Sequence, residues 1–221
     1  MSSLGSIVRR AFGPYERQVS ELYRSMFINL DDLATCIRDW SNPGAILEIG
    51  CGEGALAERL VRDFPDAAYT GIDITPTLGR LYEGPMDNVT FQQITAERLA
   101  EEKPGSFDLV IMNDVLHHVE SGSRTSIMDA ARDLLAPQGT MIFKDWVRRP
   151  TPIHAAVYFA DAYIGGDKNV RYMPMDEQLS RIGSAFGDAA IKSKRSIKPW
   201  SQNLAFCITP GASEAQNPTQ I

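Results

Sequence analysis

The sequence has no excess of positive charge. Its 22 lysines and arginines are outnumbered by 28 aspartates and glutamates, for a formal charge of −6 and a pI of about 5.1. A nucleic-acid backbone is normally met by a basic face, so this balance counts against a nucleic-acid partner. The clusters Arg148-Arg149 and Lys192-Ser193-Lys194-Arg195 read as solvated faces. Cysteine is scarce too. Cys36, Cys51 and Cys207 form an odd set without framework spacing, which predicts a reducing compartment. Long apolar runs are missing: nothing approaches the roughly 20 residues of a membrane span, and the first residues lack the continuous apolar stretch of a secretory leader. A cytoplasmic protein without a membrane partner is expected. At 221 residues, with ordinary apolar (43%) and charged (23%) content, the chain fits one domain.

What the chain does have is the stretch Ile46-Leu47-Glu48-Ile49-Gly50-Cys51-Gly52-Glu53-Gly54. An apolar run ends at three alternate glycines, and a helical pattern follows, with Leu56, Leu60 and Ala57, Val61 each spaced by four. A strand, a tight turn and a helix N-terminus make a cradle where a ligand approaches bare backbone. Gly50, Gly52 and Ala55 also satisfy the dinucleotide pattern, so a nicotinamide oxidoreductase is one reading. Glu48 before the turn and Glu53 inside it oppose that reading, because two carboxylates repel a pyrophosphate and attract a cationic cofactor. The next apolar run, 68–72, ends in Asp73, 23 residues after Gly50, where a carboxylate can accept from ribose hydroxyls.

Apolar runs at 89–94, 107–112 and 140–143 alternate with helical patterns at 75–81, 95–100 and 123–135, which calls for a parallel sheet with helices on both faces. Pro137-Gln138-Gly139 reads as a turn into the run at 140–143. Ile191–Ile197 and Leu204–Ile208 are joined by too few residues for a crossover and should pair antiparallel. Before the first strand, Val19, Leu22, Tyr23, Met26, Phe27 and Leu30 recur at helical spacing, with Asp31-Asp32 able to cap a second helix. That stripe predicts core packing. Residues 1–13 read as a polar arm, Gly13-Pro14 as a hinge and 210–221 as a disordered tail.

The segments ILEIGCGEG, GIDIT, FDLVIMNDVLHHV and LLAPQGTMIF, in this order over about residues 45–145, resemble the successive motifs of a class I S-adenosylmethionine-dependent methyltransferase of the small-molecule type. The resemblance implies an α/β, Rossmann-like seven-stranded sheet, mostly parallel with an antiparallel C-terminal hairpin, in strand order 3-2-1-4-5-7-6. It divides one domain into an N-terminal helical lid (1–40), a cofactor-binding core (41–145), a substrate-side helical insertion (146–187), a terminal hairpin (188–209) and the tail. It implies S-adenosylmethionine as cofactor, with Gly50, Cys51 and Gly52 at its methionine part through backbone, and Glu48 beneath. Asp73 would hold the ribose, Ile74 would lie against the adenine, and Asn113 would offer its carbonyl to the ammonium. The family's acidic adenine contact is replaced by Thr95, with Ala96 beside it.

Asp114, His117 and His118 would share a face if helical, a spacing that also suits a metal. No further His or Cys cluster completes such a site, and no metal is expected. His118 is the first candidate for a general base, His154 the second and Asp145 the third. The aromatic content after the fifth strand favours a flat or apolar acceptor, with Trp146, Tyr158 and Tyr172 as contacts and Tyr15 on the lid. The reaction expected is methyl transfer to a small metabolite, at oxygen first, by a monomer or homodimer. An RNA or protein methyltransferase and a non-catalytic cofactor-binding subunit remain alternatives.

Overall fold

The computed structural model describes residues 15–167 and 169–210, so the arm, its Gly13-Pro14 hinge and the tail beyond residue 210 lie outside the described residues. Seven strands form one sheet: β1 Ala45–Ile49, β2 Ala68–Asp73, β3 Val89–Gln93, β4 Phe107–Asn113, β5 Leu135–Trp146, β6 Ile191–Ser196 and β7 Asn203–Ile208. Their order is β3-β2-β1-β4-β5-β7-β6, as expected, with β7 antiparallel to both neighbours and the rest parallel.

Alternation along the central strands builds two cores. Leu47 and Ile49 on β1, with Val110 and Met112 on β4, pack under α4 (Ala96–Glu102), α5 (Arg124–Leu134) and α7 (Met175–Phe186). Ile46, Leu109 and Ile111 face the other way, onto α2 (Leu30–Trp40) and α3 (Ala55–Asp63). The edge strand β6 alternates exposed Lys192 and Lys194 with less exposed neighbours, which discourages pairing with another sheet.

Four local expectations are corrected. The cap of α2 is Asn29, whose side chain accepts from the Asp32 N–H, not the Asp31-Asp32 pair. Residues 75–81 form turns instead of a helix, because Gly79 N–H and Leu81 N–H donate to the carbonyls of Gly52 and Glu53 and pin the segment to the glycine turn. Pro137-Gln138-Gly139 does not interrupt β5. The strand runs on from Leu135, and the extra residues are absorbed as an irregularity opposite Phe107–Leu109.

The fourth concerns α1 (Glu16–Ser25), which carries the apolar stripe read as core. It buries no residue, and Leu22 is 70% exposed and Met26 59%. Its inward face is charged instead: Arg17 pairs with Glu58 and Glu83, Glu21 with Arg59, and Arg80 bridges Glu16 and Glu53. At its far end the Trp200 indole N–H donates to Met26 O and the Asn203 amide to Phe27 O. Of the two N-terminal helices among the described residues, α2 is the one in the core, through Leu33, Cys36 and Ile37.

A last helix, α6 (Pro152–Phe159), is capped by Thr151 and extended by a wider turn over Ala160–Gly165. Its Val157 joins Trp146, Val170 and Tyr172 in a small third cluster at the carboxyl ends of the strands. Among the described residues, no helix is long and apolar enough to cross a membrane.

Candidate functional site

In an open parallel sheet the carboxyl ends of the strands, where loops diverge, form the natural crevice. At the end of β1, Gly50, Gly52 and Gly54 all have positive φ, a conformation glycine adopts without side-chain strain. The turn is tied down by its own backbone. Gly50 and Cys51 N–H both donate to Ile72 O, at 2.8 and 3.0 Å, and Gly54 N–H donates to Cys51 O. The N–H groups of Gly50 and Cys51 therefore face strand β2, so any ligand meets the open side of the turn instead. A Cβ on Gly52 would have nothing within 4 Å, so the space above that residue is open.

Asp73 organises the same turn. One carboxylate oxygen accepts from Gly52 N–H at 2.9 Å and the other from Thr75 N–H at 2.9 Å, which leaves each oxygen capacity for a hydroxyl. Ile74 is exposed beside it. Thr95 caps α4, its hydroxyl accepting from Arg98 N–H at 3.3 Å, and Ala96 is buried in the helix's first turn. Across the crevice Asn113 ends β4 with its amide oxygen buried and without a partner.

Glu48 lies under this turn, buried, accepting the Tyr69 hydroxyl at 2.6 Å. Burial pushes its carboxyl up to about 8, with Asp73 adding to the rise and the Tyr69 bond opposing it. The charge expected to repel a pyrophosphate is therefore largely absent at neutral pH in the unliganded protein. Glu53 is paired with Arg80. A carboxyl raised in the folded state adds stability below its unfolded value of 4.5 and loses it as pH climbs through the folded value. Thermal unfolding followed across pH ~5–9 should therefore show wild-type stability falling toward alkaline pH, with Glu48→Gln lacking most of that fall. Parallel curves would remove Glu48 as the cause.

The ends of β4 and β5 carry a second, denser set of polar groups. Asn113 and Lys144 are register partners. Just beyond, Asp114 has a φ of +58°, a conformation that aspartate tolerates better than most residues. Its carboxylate pairs with the fully buried Lys144 ammonium, whose pKa burial pulls down. Residues Leu116–His118 form a 3-10 turn, not an α-helix. The two imidazole rings stay close, with centroids 4.1 Å apart, but differ in burial and in partner. His117 points inward and is buried, and its Nδ1–H donates to Asp145 at 2.5 Å. His118 is exposed, with Nδ1 on Asp167 at 2.7 Å.

Asp145 is as buried as His117, and its second oxygen has no partner. The Asp161 carboxylate lies 3.8 Å from His117 Nε2 and accepts the Tyr172 hydroxyl. The Tyr172 ring stacks on the His117 imidazole at 4.5 Å, with His154 edge-on to Tyr172 at 5.0 Å. Burial lowers the His117 pKa, but the surrounding carboxylates of Asp145, Asp114 and Asp161 outweigh it, and the net direction is upward. Asp145 is held below its ordinary value by His117 and Lys144 against its own burial. Burial and Arg148 push His154 down.

The structure thus gathers Glu48, Gly50, Cys51, Gly52, Asp73 and Ile74 at one end of the crevice, and Asn113, Asp145, His154 and Tyr172 at the other. Trp146 and Tyr172 are packed in the small third cluster, 3% and 5% exposed, which leaves little of either ring to receive a ligand. Tyr158 and Tyr15 are exposed. The sequence ranking passed over His117 in favour of its neighbour, and did not single out Lys144 or Asp161. The buried run through β5 that ends in Lys-Asp was the available signal, since only a paired charge sits inside such a run. Two groupings bring metal-type ligand atoms within 4.8 Å: Asp114, His117 and Asp145, and His117, His118 and Asp161. In the first, the Lys144 ammonium and the His117–Asp145 bond already engage the carboxylates.

Residues 47–141 match the family model described as a methyltransferase domain. Ubiquinone biosynthesis O-methyltransferase of Nitrosococcus oceani is 37% identical over 135 residues, which cover 58% of this chain and 52% of that protein. The protein of the same name from Xanthomonas campestris pv. campestris is 35% identical over 60% of this chain and 53% of its own. The chain spans about half the length of the curated relatives it matches. Among solved structures, an O-methyltransferase family protein from Burkholderia thailandensis superposes with a TM-score of 0.70 at 17% identity, over 93% of this chain and 60% of that one. The 1,6-didemethyltoxoflavin-N1-methyltransferase of the same organism, solved with S-adenosylhomocysteine, gives 0.64 at 14% identity over 93% and 88%. Residues 47–141 thus resemble a methyltransferase domain, and the fold around them is the one these solved methyltransferases share.

Proposed function

We propose that this chain transfers a methyl group from S-adenosylmethionine to an oxygen of a small, flat or apolar metabolite, and that His117, oriented by Asp145, is the general base. The supporting observation is a contact between the two halves of the crevice. A Cβ placed on Gly50 would stand 2.4 Å from Val115 Cγ2, so the cofactor-side turn packs directly on the loop that carries His117.

The residues present fit the cofactor. Asp73 keeps acceptor capacity for ribose hydroxyls, the space above Gly52 is open, and the unpartnered Asn113 oxygen suits an ammonium. When bound, S-adenosylmethionine supplies both the methyl and its sulfonium leaving group, so the protein's tasks are alignment and proton removal. Asp145 holds the His117 proton on Nδ1, which leaves Nε2 to take one from the acceptor hydroxyl. His118 and His154 serve this role less well: the first is exposed and engaged by Asp167, and the second stands outside the carboxylate cluster. Asp161, 3.8 Å from Nε2, would border the acceptor.

Calorimetric titration with S-adenosylmethionine, S-adenosylhomocysteine and NADH tests the cofactor half. Micromolar binding of the first two is expected. Asp73→Ala should weaken it about 10- to 100-fold, the worth of one or two hydrogen bonds to a carboxylate. Binding of NADH alone would overturn the reading. Labelled-methyl transfer to a panel of phenols and catechols tests the acceptor half.

A further inference from the structure

Arg124 breaks the ordinary rules of helix construction. It opens α5, where the positive end of the helix disfavours a cation, yet it is 2% exposed. The first turn has no acidic residue to offset it, and Ser123 makes no side-chain cap. Among the described residues, the one carboxylate that pairs with it, Glu177, is 3.7 Å away. Such a buried charge is retained for the bonds it makes, and here they go to two backbone carbonyls. Its Nε–H donates to Val119 O at 3.0 Å and its Nη2–H to Arg171 O at 2.7 Å.

Those carbonyls flank His117. Val119 closes the 3-10 turn that carries it, and the N–H of Arg171 donates to the His117 carbonyl at 2.8 Å. The next residue, Tyr172, lays its ring on the imidazole at 4.5 Å and 26°. The bonds close a ring from His117 through Arg171 and Arg124 back to the His117 turn.

We infer that Arg124 is a positioning residue for His117: its guanidinium fork fixes the spacing between the 116–119 turn and the 169–173 segment, and so holds Tyr172 against the imidazole. This rests on the reading of His117 as the base. A planar guanidinium serves two carbonyls in fixed directions, whereas an ammonium on a flexible stem holds at most one of them in the same place. Arg124→Lys therefore keeps the charge and loses the clamp.

The test compares the full chain with Arg124→Lys, Arg124→Met, Tyr172→Leu and the Arg124→Lys/Tyr172→Leu double variant. The sequence has three histidines, so imidazole protons are resolvable by NMR, and His117 is identified by its loss in His117→Gln. Stacking under Tyr172 shifts the His117 ring protons upfield. Arg124→Lys should move them back toward ordinary values, while S-adenosylhomocysteine affinity by calorimetry stays within about twofold. Methyl transfer to catechol should lose about tenfold or more in kcat with little change in KM, the scale of a small misalignment. The double variant should be no worse than Tyr172→Leu alone, since both act through one contact.

A purely structural arginine predicts otherwise. Unchanged His117 shifts in a folded Arg124→Lys, or additive losses in the double variant, would overturn the inference. Should Arg124→Met fail to fold, the lysine variant still decides. If the wild type does not methylate catechol, the acceptor class is at fault, and the NMR comparison judges Arg124 independently.

Discussion

Asp145→Asn is expected to lower methyl transfer by about 10³- to 10⁴-fold, the cost seen when an aspartate orienting a catalytic histidine becomes an amide. The carboxylate oxygen 2.5 Å from Nδ1 keeps the imidazole proton on that nitrogen. An asparagine that turns its NH₂ there moves the proton to Nε2, the atom that has to receive one. Affinity for S-adenosylhomocysteine should change little, because Asp145 lies on β5 and the turn after β1 is untouched.

Two pH signatures accompany that loss. Since the carboxylates raise the His117 pKa above its ordinary 6.5, the neutral base forms only at higher pH, and the rising limb of kcat/KM should sit above that value in the wild type. Asp145→Asn should move the limb to lower pH while lowering the plateau. Stability gives the second. His117, raised on folding, contributes below 6.5 and loses its contribution as pH rises through the folded value. Asp145, depressed from 3.8, contributes above 3.8 and loses it as pH falls through the folded value. Wild type and variant should therefore differ most in thermal stability between pH 3.8 and 6.5, and converge on either side. A variant with wild-type turnover would remove His117 as the base.

Gly50→Ala should destabilise the fold by about 2–5 kcal/mol. A φ of +73° costs a non-glycine residue about 1–2 kcal/mol, and the new Cβ would meet Val115 Cγ2 at 2.4 Å, an overpacking worth about 1–3 kcal/mol more. For a domain of this size the fall in Tm is about 4–20 °C by thermal unfolding. Gly52→Ala is the control. Its φ of +51° carries similar strain, but nothing lies within 4 Å of the added methyl. Equal losses at the two positions would show that strain alone matters and that the Val115 contact does not. If Val115 yields, the His117 turn moves with it, and the folded fraction of Gly50→Ala should be less active than its stability implies.

The sheet was legible because its signals are redundant. Each central strand is a run of β-branched and apolar residues ended by a turn residue or charge, and the short link before β7 left antiparallel pairing as its one solution. Legibility failed where a distant backbone decides. The 75–81 segment has helical composition, but hydrogen bonds to Gly52 and Glu53 outbid a helix of one or two turns. The stripe on α1 shows that periodicity finds a helix's two faces without saying which one faces the body, since ion pairs turned the charged face inward. At the site, Asp73 and the glycines follow from local spacing. His117 does not, because choosing it over His118 requires knowing which of the two adjacent rings is buried and that Asp145, 28 positions away, waits beneath it.

The antiparallel seating of β7 has a practical geometry. Trp146 pairs with Asn203 and Met141 with Ile208, so the last strand begins at the crevice and ends at the opposite rim. The turn before it can thus hold Met26 and Phe27 near the crevice, while the backbone leaves the sheet on the side away from Asp73 and His117. A surface tether or affinity handle joined after β7 would leave the cleft facing solution, whereas one joined ahead of Tyr15 would start from α1, the helix whose far end is anchored beside it.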